Sequence, residues 1–213
     1  TIYYGQLYQR VNYVSAALLD FGIQAGEKVF ICLPNIPACP TIIFAALQIG
    51  ATVIMSNPLS SQKEHAYYVK DSGAVLAVVV DSLAERFDSL CSSSELTRVI
   101  SCRINSLFSE PISSEQTLKK DNEPEGSRQC VADFSLFHGY ANNKPVIHAP
   151  SLDSTALLLY TGGTTGQAKA VVLSHRNVAA NMQQAHAWLP HLNENDRAIA
   201  LFPFFSGAGF TSI

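Results

Sequence analysis

The chain has no excess of basic charge, no Cys-x-x-Cys pair and no apolar run of membrane-spanning length. Lys and Arg total 14 against 17 for Asp and Glu, a formal net charge of -3 with a pI near 6.0. The basic residues are scattered, so nothing draws in a polyanion from a distance and nucleic acid is not an expected partner. The five cysteines are an odd number, and Cys32 and Cys39 stand among apolar residues, where a reduced thiol packs as a small hydrophobe. This usage fits a reducing, cytoplasmic compartment. The apolar run at 74–80 has the length of a strand and falls far short of the roughly 20 residues that a spanning helix needs. No transmembrane segment is expected, and peripheral membrane contact stays open. Thr1 is preceded by no Met or signal peptide, and Ile213 ends an apolar stretch, so the chain reads as a fragment. Internal repeats, heptads and low-complexity tracts are also missing.

What is present is enough hydrophobic content, 47% over 213 residues, to build a substantial core in one large domain or two small ones. Leu7, Val11, Val14, Leu18 and Phe21 recur at spacings of four and three, which predicts a first helix ended by Gly22. A strand over 29–33 stopped by Pro34, a helix over 38–49 stopped by Gly50, a strand over 52–55 and a helix over 60–70 follow. A β-branched strand over 74–80, a helix from 82 and a short strand over 97–100 complete this part. Strands too apolar to have a wet face, alternating with helices, predict an α/β fold of layered, mainly parallel sheets flanked by helices. Residues 101–150 break the pattern and read as a variable connector, with 134–137 as one short element inside it. Order returns with a strand over 155–160, extended residues 170–173, a helix over 175–189 capped by Ser174 and ended by Pro190, and a last strand over 197–202. The expected organisation is therefore an α/β subdomain over 1–100, the connector over 101–150 and a loop-bearing segment over 151–213.

Between the strand at 155–160 and the extended residues lies Tyr160-Thr161-Gly162-Gly163-Thr164-Thr165-Gly166-Gln167-Ala168-Lys169. Gly162, Gly163 and Gly166 let the backbone bring N–H groups against phosphate oxygens. The hydroxyls of Thr161, Thr164 and Thr165 add donors, and Lys169 adds a mobile cation. This is the composition of an anion cradle. Gln167 and Ala168 stand between the last glycine and the lysine, which excludes a Walker A loop, and no Gly-x-Gly-x-x-Gly is present, which excludes a dinucleotide fingerprint. The plain alternative is a Gly/Thr hairpin turn between two strands.

The segment Leu159 to Lys169, followed by Val171-Val172-Leu173-Ser174-His175-Arg176-Asn177, resembles the signature of the AMP-binding, adenylate-forming superfamily, in the Thr-Gly-Gly form typical of fatty-acyl-CoA synthetases. Gly26-Glu27-Lys28-Val29, Leu33-Pro34-Asn35, Ala45-Ala46-Leu47-Gln48-Ile49-Gly50-Ala51 and Asn57-Pro58-Leu59 are similar to the family's N-terminal motifs in order and spacing. Phe202-Pro203-Phe204-Phe205 looks like its acyl-pocket motif. The resemblance implies the N-terminal part of the large domain of an acyl-CoA synthetase. Such an enzyme joins a carboxylic acid, of which fatty acid is the expected class, to ATP as an acyl-adenylate and then passes the acyl group to CoA. It further implies that Thr161, Gly162, Gly163, Thr164, Thr165, Gly166 and Lys169 hold the phosphates, with Lys169 acting on the leaving pyrophosphate. Phe205 and Ser206 would border the acid. Mg²⁺ is the implied charge partner, and the family's carboxylate ligand for it, its adenine and ribose contacts and its C-terminal lysine all fall later than residue 213.

Three positions depart from the family pattern: Ala168 replaces a usual Pro, Ala170 a usual Gly, and Ser206 a usual His. A methyl group at 170 is tolerated if φ there is negative and costly if it is not. Two further readings stay open: an adenylation domain for an amino or aryl acid, which shares the loop and differs only in the acyl pocket, and, motivated by Ala170, Ser206 and the expected absence of the C-terminal half, a truncated relative that binds nucleotide or a protein without catalysis. His175 either faces the nucleotide or is a helix-start histidine satisfied by backbone. His186 and His191 match no metal-ligand spacing and read as surface residues, so no metal is assigned to them. Tyr3, Tyr4, Tyr8 and Tyr13 read as core packing of the first helix, and Phe202, Phe204, Phe205 and Phe210 as either core or the border of an acyl tunnel.

Overall fold

A computed structural model describes residues 2–104, 131–140, 149–161, 167–191, 193 and 196–211. Its elements in the first half are α1 (Tyr4–Asp20), β1 (Lys28–Cys32), α2 (Ala38–Gln48), β2 (Thr52–Met55), α3 (Gln62–Ser72), β3 (Leu76–Val80), α4 (Ala84–Asp88) and β4 (Arg98–Cys102). The helix expected from 82 is short, because 3-10 turns at Asp81–Leu83 and Ser89–Ser92 flank α4. Within the connector, β5 (Val131–Asp133) runs into a 3-10 helix at Phe134–Tyr140, where the short element at 134–137 was expected. Phe134 and Phe137 bury their rings there, Phe137 meets Phe21, and the Tyr140 hydroxyl donates to Asp20 at the end of α1. The second half holds β6 (Thr155–Thr161), β7 (Lys169–Ser174), α5 (His175–Trp188) and α6 (Gly207–Phe210).

All seven strands join one sheet in the order β5-β4-β3-β1-β2-β6-β7. Every pairing is parallel except β6 with β7. Residues 162–168 alone link those two, too few for the crossover that a parallel partner requires, so β6 and β7 pair as antiparallel neighbours. The centre of the sheet is dry: Val29, Phe30, Val53, Ile54, Leu76, Ala77, Val78 and Val79 are fully buried. Strands covered on both faces need no polar alternation, which is why the chain shows none there. From β1 the chain passes to β2 on one side and then crosses to β3 on the other, so winding reverses between β1 and β3. In open α/β sheets ligands bind beyond the carboxyl ends of the strands near such a reversal.

Local chemistry sets the helix ends. Ser61 caps α3 by accepting from the Glu64 N–H at 3.3 Å, while Glu64 accepts from the Ser61 N–H at 2.7 Å. Gly73 ends the helix at φ +64°, a conformation that a residue with a Cβ rarely adopts. Two expectations fail. Tyr13 is buried, but Tyr3, Tyr4 and Tyr8 are 69%, 71% and 60% exposed, because the core covers α1 only from Val11 onward and leaves its first turns uncovered. The strand expected over 197–202 does not form: the Ala200 and Phe202 carbonyls are taken by the Asn35 side chain, and Ile199 and Leu201 are 91% and 78% exposed with no strand beside them.

Behind the carboxyl end of β1, His65 of α3 is completely buried between the rings of Phe30 and Phe87. Its Nε2 lies 3.0 Å from the Asn57 carbonyl and 3.5 Å from Cys32 Sγ, and its Nδ1 lies 3.3 Å from Arg86 Nη1. An arginine can only donate, so Nδ1 accepts and Nε2 carries the proton: the ring is neutral. Burial holds its pKa below the usual histidine value, the Arg86 charge adds to this, and the Asn57 bond and Glu64 oppose it. A folded-state pKa below the unfolded one gives stability that is complete above about pH 6.5 and lost as pH falls through and below it toward the folded value. Urea denaturation is therefore expected to show lower stability at about pH 5.5 than at about pH 7.5. His65→Leu should flatten that slope and leave the share due to His175, which is shifted the same way by burial. A slope identical to wild type would remove His65 from the acid response.

Candidate functional site

The hairpin loop leaves the sheet at the carboxyl end of β6, the side on which an α/β sheet presents its ligand sites. Its position comes from the parallel pairing of β6 with β2, in which Val53, Ile54 and Met55 face Leu157, Leu158 and Leu159. At the stem Thr161 pairs with Lys169, and the Thr161 hydroxyl donates to the Lys169 carbonyl at 3.3 Å. Both residues are exposed. Gly162, Gly163, Thr164, Thr165 and Gly166 lie outside the described residues. The site that can be built is thus the stem, with one hydroxyl and one cation of the predicted set.

Helix α3 grips both sides of this stem. On the entering strand, the Tyr160 ring stacks on Tyr68 at 4.2 Å and 19°, and its hydroxyl donates to Asp71 Oδ2 at 2.7 Å. Burial, then the Asp71 bond and charge, raise the Tyr160 phenol above the usual tyrosine range, so it stays protonated and remains a donor. On the returning strand, the Tyr67 hydroxyl donates to the Ala168 carbonyl at 3.0 Å, one residue before Lys169. Tyr67 and Asp71 are four apart and Tyr68 and Asp71 three apart, so one helical surface presents all three groups. Sequence reasoning missed them. The i, i+3, i+4 spacing was visible, but nothing in a helix pattern says which later segment it will meet.

Ala170 answers the question its methyl group raised. It lies in β7 opposite Tyr160, and among the described residues no non-glycine has a positive φ. The substitution for glycine is unstrained.

The acyl-pocket motif forms a tight turn. Phe204 is buried, Phe205 is half-buried and Phe202 is 56% exposed. The Ser206 hydroxyl donates to the Pro203 carbonyl at 2.7 Å and accepts from the Gly209 N–H at 3.0 Å, so it caps the short helix α6. A Cβ on Gly209 would stand 1.8 Å from the Pro203 carbonyl oxygen, and the turn closes only because none is there. A Cβ on Gly207 would lie 3.9 Å from Leu159 Cδ1, which seats this turn against β6 just below the loop stem. The motif that carries Phe205 and Ser206 and the strand that ends in Thr161 are therefore neighbours.

His175 opens α5, where its own N–H donates to the Ser154 carbonyl at 3.1 Å, as a helix-start residue should. Its ring Nε2 is nevertheless buried with no hydrogen-bond partner among the described residues. Backbone satisfies the residue's amide and leaves its ring unpaired. His186 and His191 are exposed, and among the described residues no cluster of three His, Cys, Asp or Glu could hold a metal. Burial raises Cys32 and Cys39 to about 12, so both remain thiols packed in the core. No described helix is long and apolar enough to cross a membrane.

The grip on the stem is measurable. Tyr160→Phe keeps the stacking and deletes the bond to Asp71, and because Asp71 is reached by solvent the loss should be about 1 kcal/mol. Urea denaturation reads the loss, and amide exchange at residues 167–169 should speed up in the same variant. Wild-type exchange rates there would show that α3 does not restrain the loop.

Comparison with known proteins gives this geometry its context. A long-chain-fatty-acid–CoA ligase of Bacillus subtilis is 25% identical over 206 residues, covering 94% of this chain and 37% of the ligase. The Salmonella typhimurium long-chain-fatty-acid–CoA ligase is 30% identical over 177 residues, covering 78% of this chain and 30% of its own length. The chain thus spans about a third of the curated relatives it matches. Among solved structures, a long-chain-fatty-acid–CoA ligase from Archaeoglobus fulgidus superposes with a TM-score of 0.74 at 24% identity, covering 99% of this chain and 37% of that one. ATP-bound MatB from Rhodopseudomonas palustris superposes at 0.73 and 20% identity, covering 98% of this chain and 36% of that one. The fold is that of the N-terminal part of acyl-CoA ligase structures. The family model of the AMP-binding enzymes matches residues 1–213, the entire sequence, and the chain belongs to that family.

Proposed function

We propose that this chain is the nucleotide-gripping first part of an acid–thiol ligase, which activates a carboxylic acid with ATP and transfers it to CoA. The observation that carries the reading is the stem: a hydroxyl on Thr161 and a cation on Lys169, paired at the carboxyl end of a parallel sheet and joined by a Gly/Thr tip. Family membership supplies the chemistry that such a stem would serve. Thr161 and Lys169, with Gly162, Gly163, Thr164, Thr165 and Gly166 between them, would hold the β- and γ-phosphates while a carboxylate attacks the α-phosphorus and pyrophosphate leaves. Their contribution is positional and electrostatic. Mg²⁺, when bound, would neutralise triphosphate charge, and no acidic residue among those described is assigned to it. CoA enters only at the second step, for which this chain offers no assigned group.

A fatty acid is the proposed substrate class, supported by the relatives at 25–30% identity. Phe205 and Ser206 are proposed to border it, since their turn leans on β6 beside the stem. In this reading 1–100 supplies the frame, 101–150 the connector and 151–213 the contacts to ATP and acid. The second reading, a relative that binds nucleotide without completing catalysis, draws on Ser206, whose hydroxyl is spent inside the turn where the family pattern has His.

Acid-dependent ATP–pyrophosphate exchange by the complete reading frame that encodes this chain tests the proposal. With a panel of fatty, aryl and amino acids, a fatty acid should give the highest kcat/KM. Lys169→Ala should lower turnover by about an order of magnitude or more, as loss of a transition-state contact does. Unchanged exchange would sink the role given to Lys169, and no exchange with any acid would favour the non-catalytic reading. Ala170→Gly should leave activity equal or higher, given its strand conformation; a large loss would show that this hairpin differs in build from the family's.

A further inference from the structure

Asn35 stands three residues beyond the last pairing of β1, at the carboxyl end of the central strand. Its side chain is exposed, yet every polar group on it is engaged with backbone about 170 residues later in the chain. Nδ2 donates to the Ala200 carbonyl at 3.0 Å and to the Phe202 carbonyl at 2.8 Å, and Oδ1 accepts from the Phe204 N–H at 2.9 Å. Phe202 and Phe204 flank Pro203, which has no N–H of its own to pair. The carboxamide thus takes the place of a neighbouring strand: it presents two donors and one acceptor to a stretch that no strand accompanies. Asp lacks the donors and Gln is longer by a methylene, so the pattern fits asparagine closely.

The segment so held does not bend freely. Phe204 is buried, Ser206 is bonded back to Pro203, and Gly209 lies against the Pro203 peptide with no room for a Cβ. Residues 203–209 therefore move as one piece, and Asn35 fixes where that piece begins. We infer that Asn35 is a positioning residue for the acid: through residues 200–204 it sets the place of Phe205 and Ser206 relative to the Thr161–Lys169 stem. The inference rests on the acyl-CoA ligase reading for the identity of what Phe205 and Ser206 border. Asn35 touches no reacting atom in this account.

Because Asn35 is exposed, replacing it opens no core cavity and should leave folding intact. Asn35→Asp is nearly isosteric, keeps the acceptor for Phe204 and turns a carboxylate oxygen toward two carbonyls. Asn35→Ala removes all three bonds. In the exchange assay Asn35→Ala should raise KM for the acid roughly tenfold, with KM for ATP within about twofold of wild type and Asn35→Asp in between. Independently of activity, trypsin should cut after the exposed Arg197 several-fold faster in both variants, under conditions where circular dichroism shows each variant still folded. Faster cutting with an unmoved acid KM would make the clamp merely structural and overturn the inference. So would unchanged cutting, or KM values for acid and ATP that rise together. A wild-type protein inactive with every acid would defeat the ligase reading itself, and the positioning role with it, a result distinct from active wild type with indifferent variants.

Discussion

The pairing of β2 with β6 is the contact on which the candidate site depends. The two strands are about 100 residues apart in the chain, and their three-residue parallel register is reinforced where Thr52 Oγ1 donates to the Thr155 carbonyl at 3.1 Å. Closing so long a loop costs entropy that grows only with the logarithm of its length, so the connector can vary widely without much penalty. What the pairing secures is direction. A parallel β6 must end on the same side of the sheet as β1, β2 and β3, and that side is where winding reverses. A one-residue slip would turn Leu157 and Leu159 to the opposite face and carry the stem with them. The burial of Ala156 and Leu157 opposes such a slip.

Given that pairing, the N-terminal strands and helices become the frame for groups that come later in sequence. α3 holds the two sides of the loop stem through Tyr67, Tyr68 and Asp71, and the end of β1 holds the Pro203 turn through Asn35. The polar bonds of this frame run to backbone in most cases, so they fix the path of the chain. Lys169 illustrates the result: its backbone is pinned while its ammonium stays in solvent. Such a division suits the triphosphate role proposed for the loop, which calls for an accurately placed stem.

Legibility in the sequence followed the kind of force involved. Elements set by burial were readable, because Val29, Ile31, Val53 and Val78 announce covered strands and the four-and-three spacing from Leu7 to Phe21 announces a helix face. Ends set by local hydrogen bonds were readable too: Ser174 caps α5, and Gly22 and Gly50, read as stops, adopt positive φ. The Gly/Thr loop suggested an anion cradle by its residue types, while the plain alternative of a Gly/Thr turn between two strands was equally visible there. The failures arose where tertiary partners decide. Residues 197–202 have strand composition, but β structure needs an adjacent strand, and there a side chain took the carbonyls instead. Tyr3, Tyr4 and Tyr8 stand at the start of α1, in turns that the core does not cover, and the helical spacing does not say where along the helix the cover begins. The antiparallel return of β7 was implicit in the shortness of 162–168, a constraint of reach that composition does not express.

The same distinction bears on how far the departures from the family pattern count. Ala170 is a change in a residue whose backbone is extended, so its methyl group meets no conformational obstacle and weighs little against catalysis. Ser206 is different in kind. A histidine at that position would bring a titratable ring to the turn beside β6, whereas the serine hydroxyl is consumed by Pro203 and Gly209 and offers nothing outward. Ser206 thus stabilises the turn at the expense of a group that could meet the substrate. If the turn still serves an acid, it must do so through shape, through Phe205 and the course that Asn35 imposes. That places the burden of selectivity on positioning, and makes a surface asparagine at the end of β1 matter more here than it would beside a charged histidine.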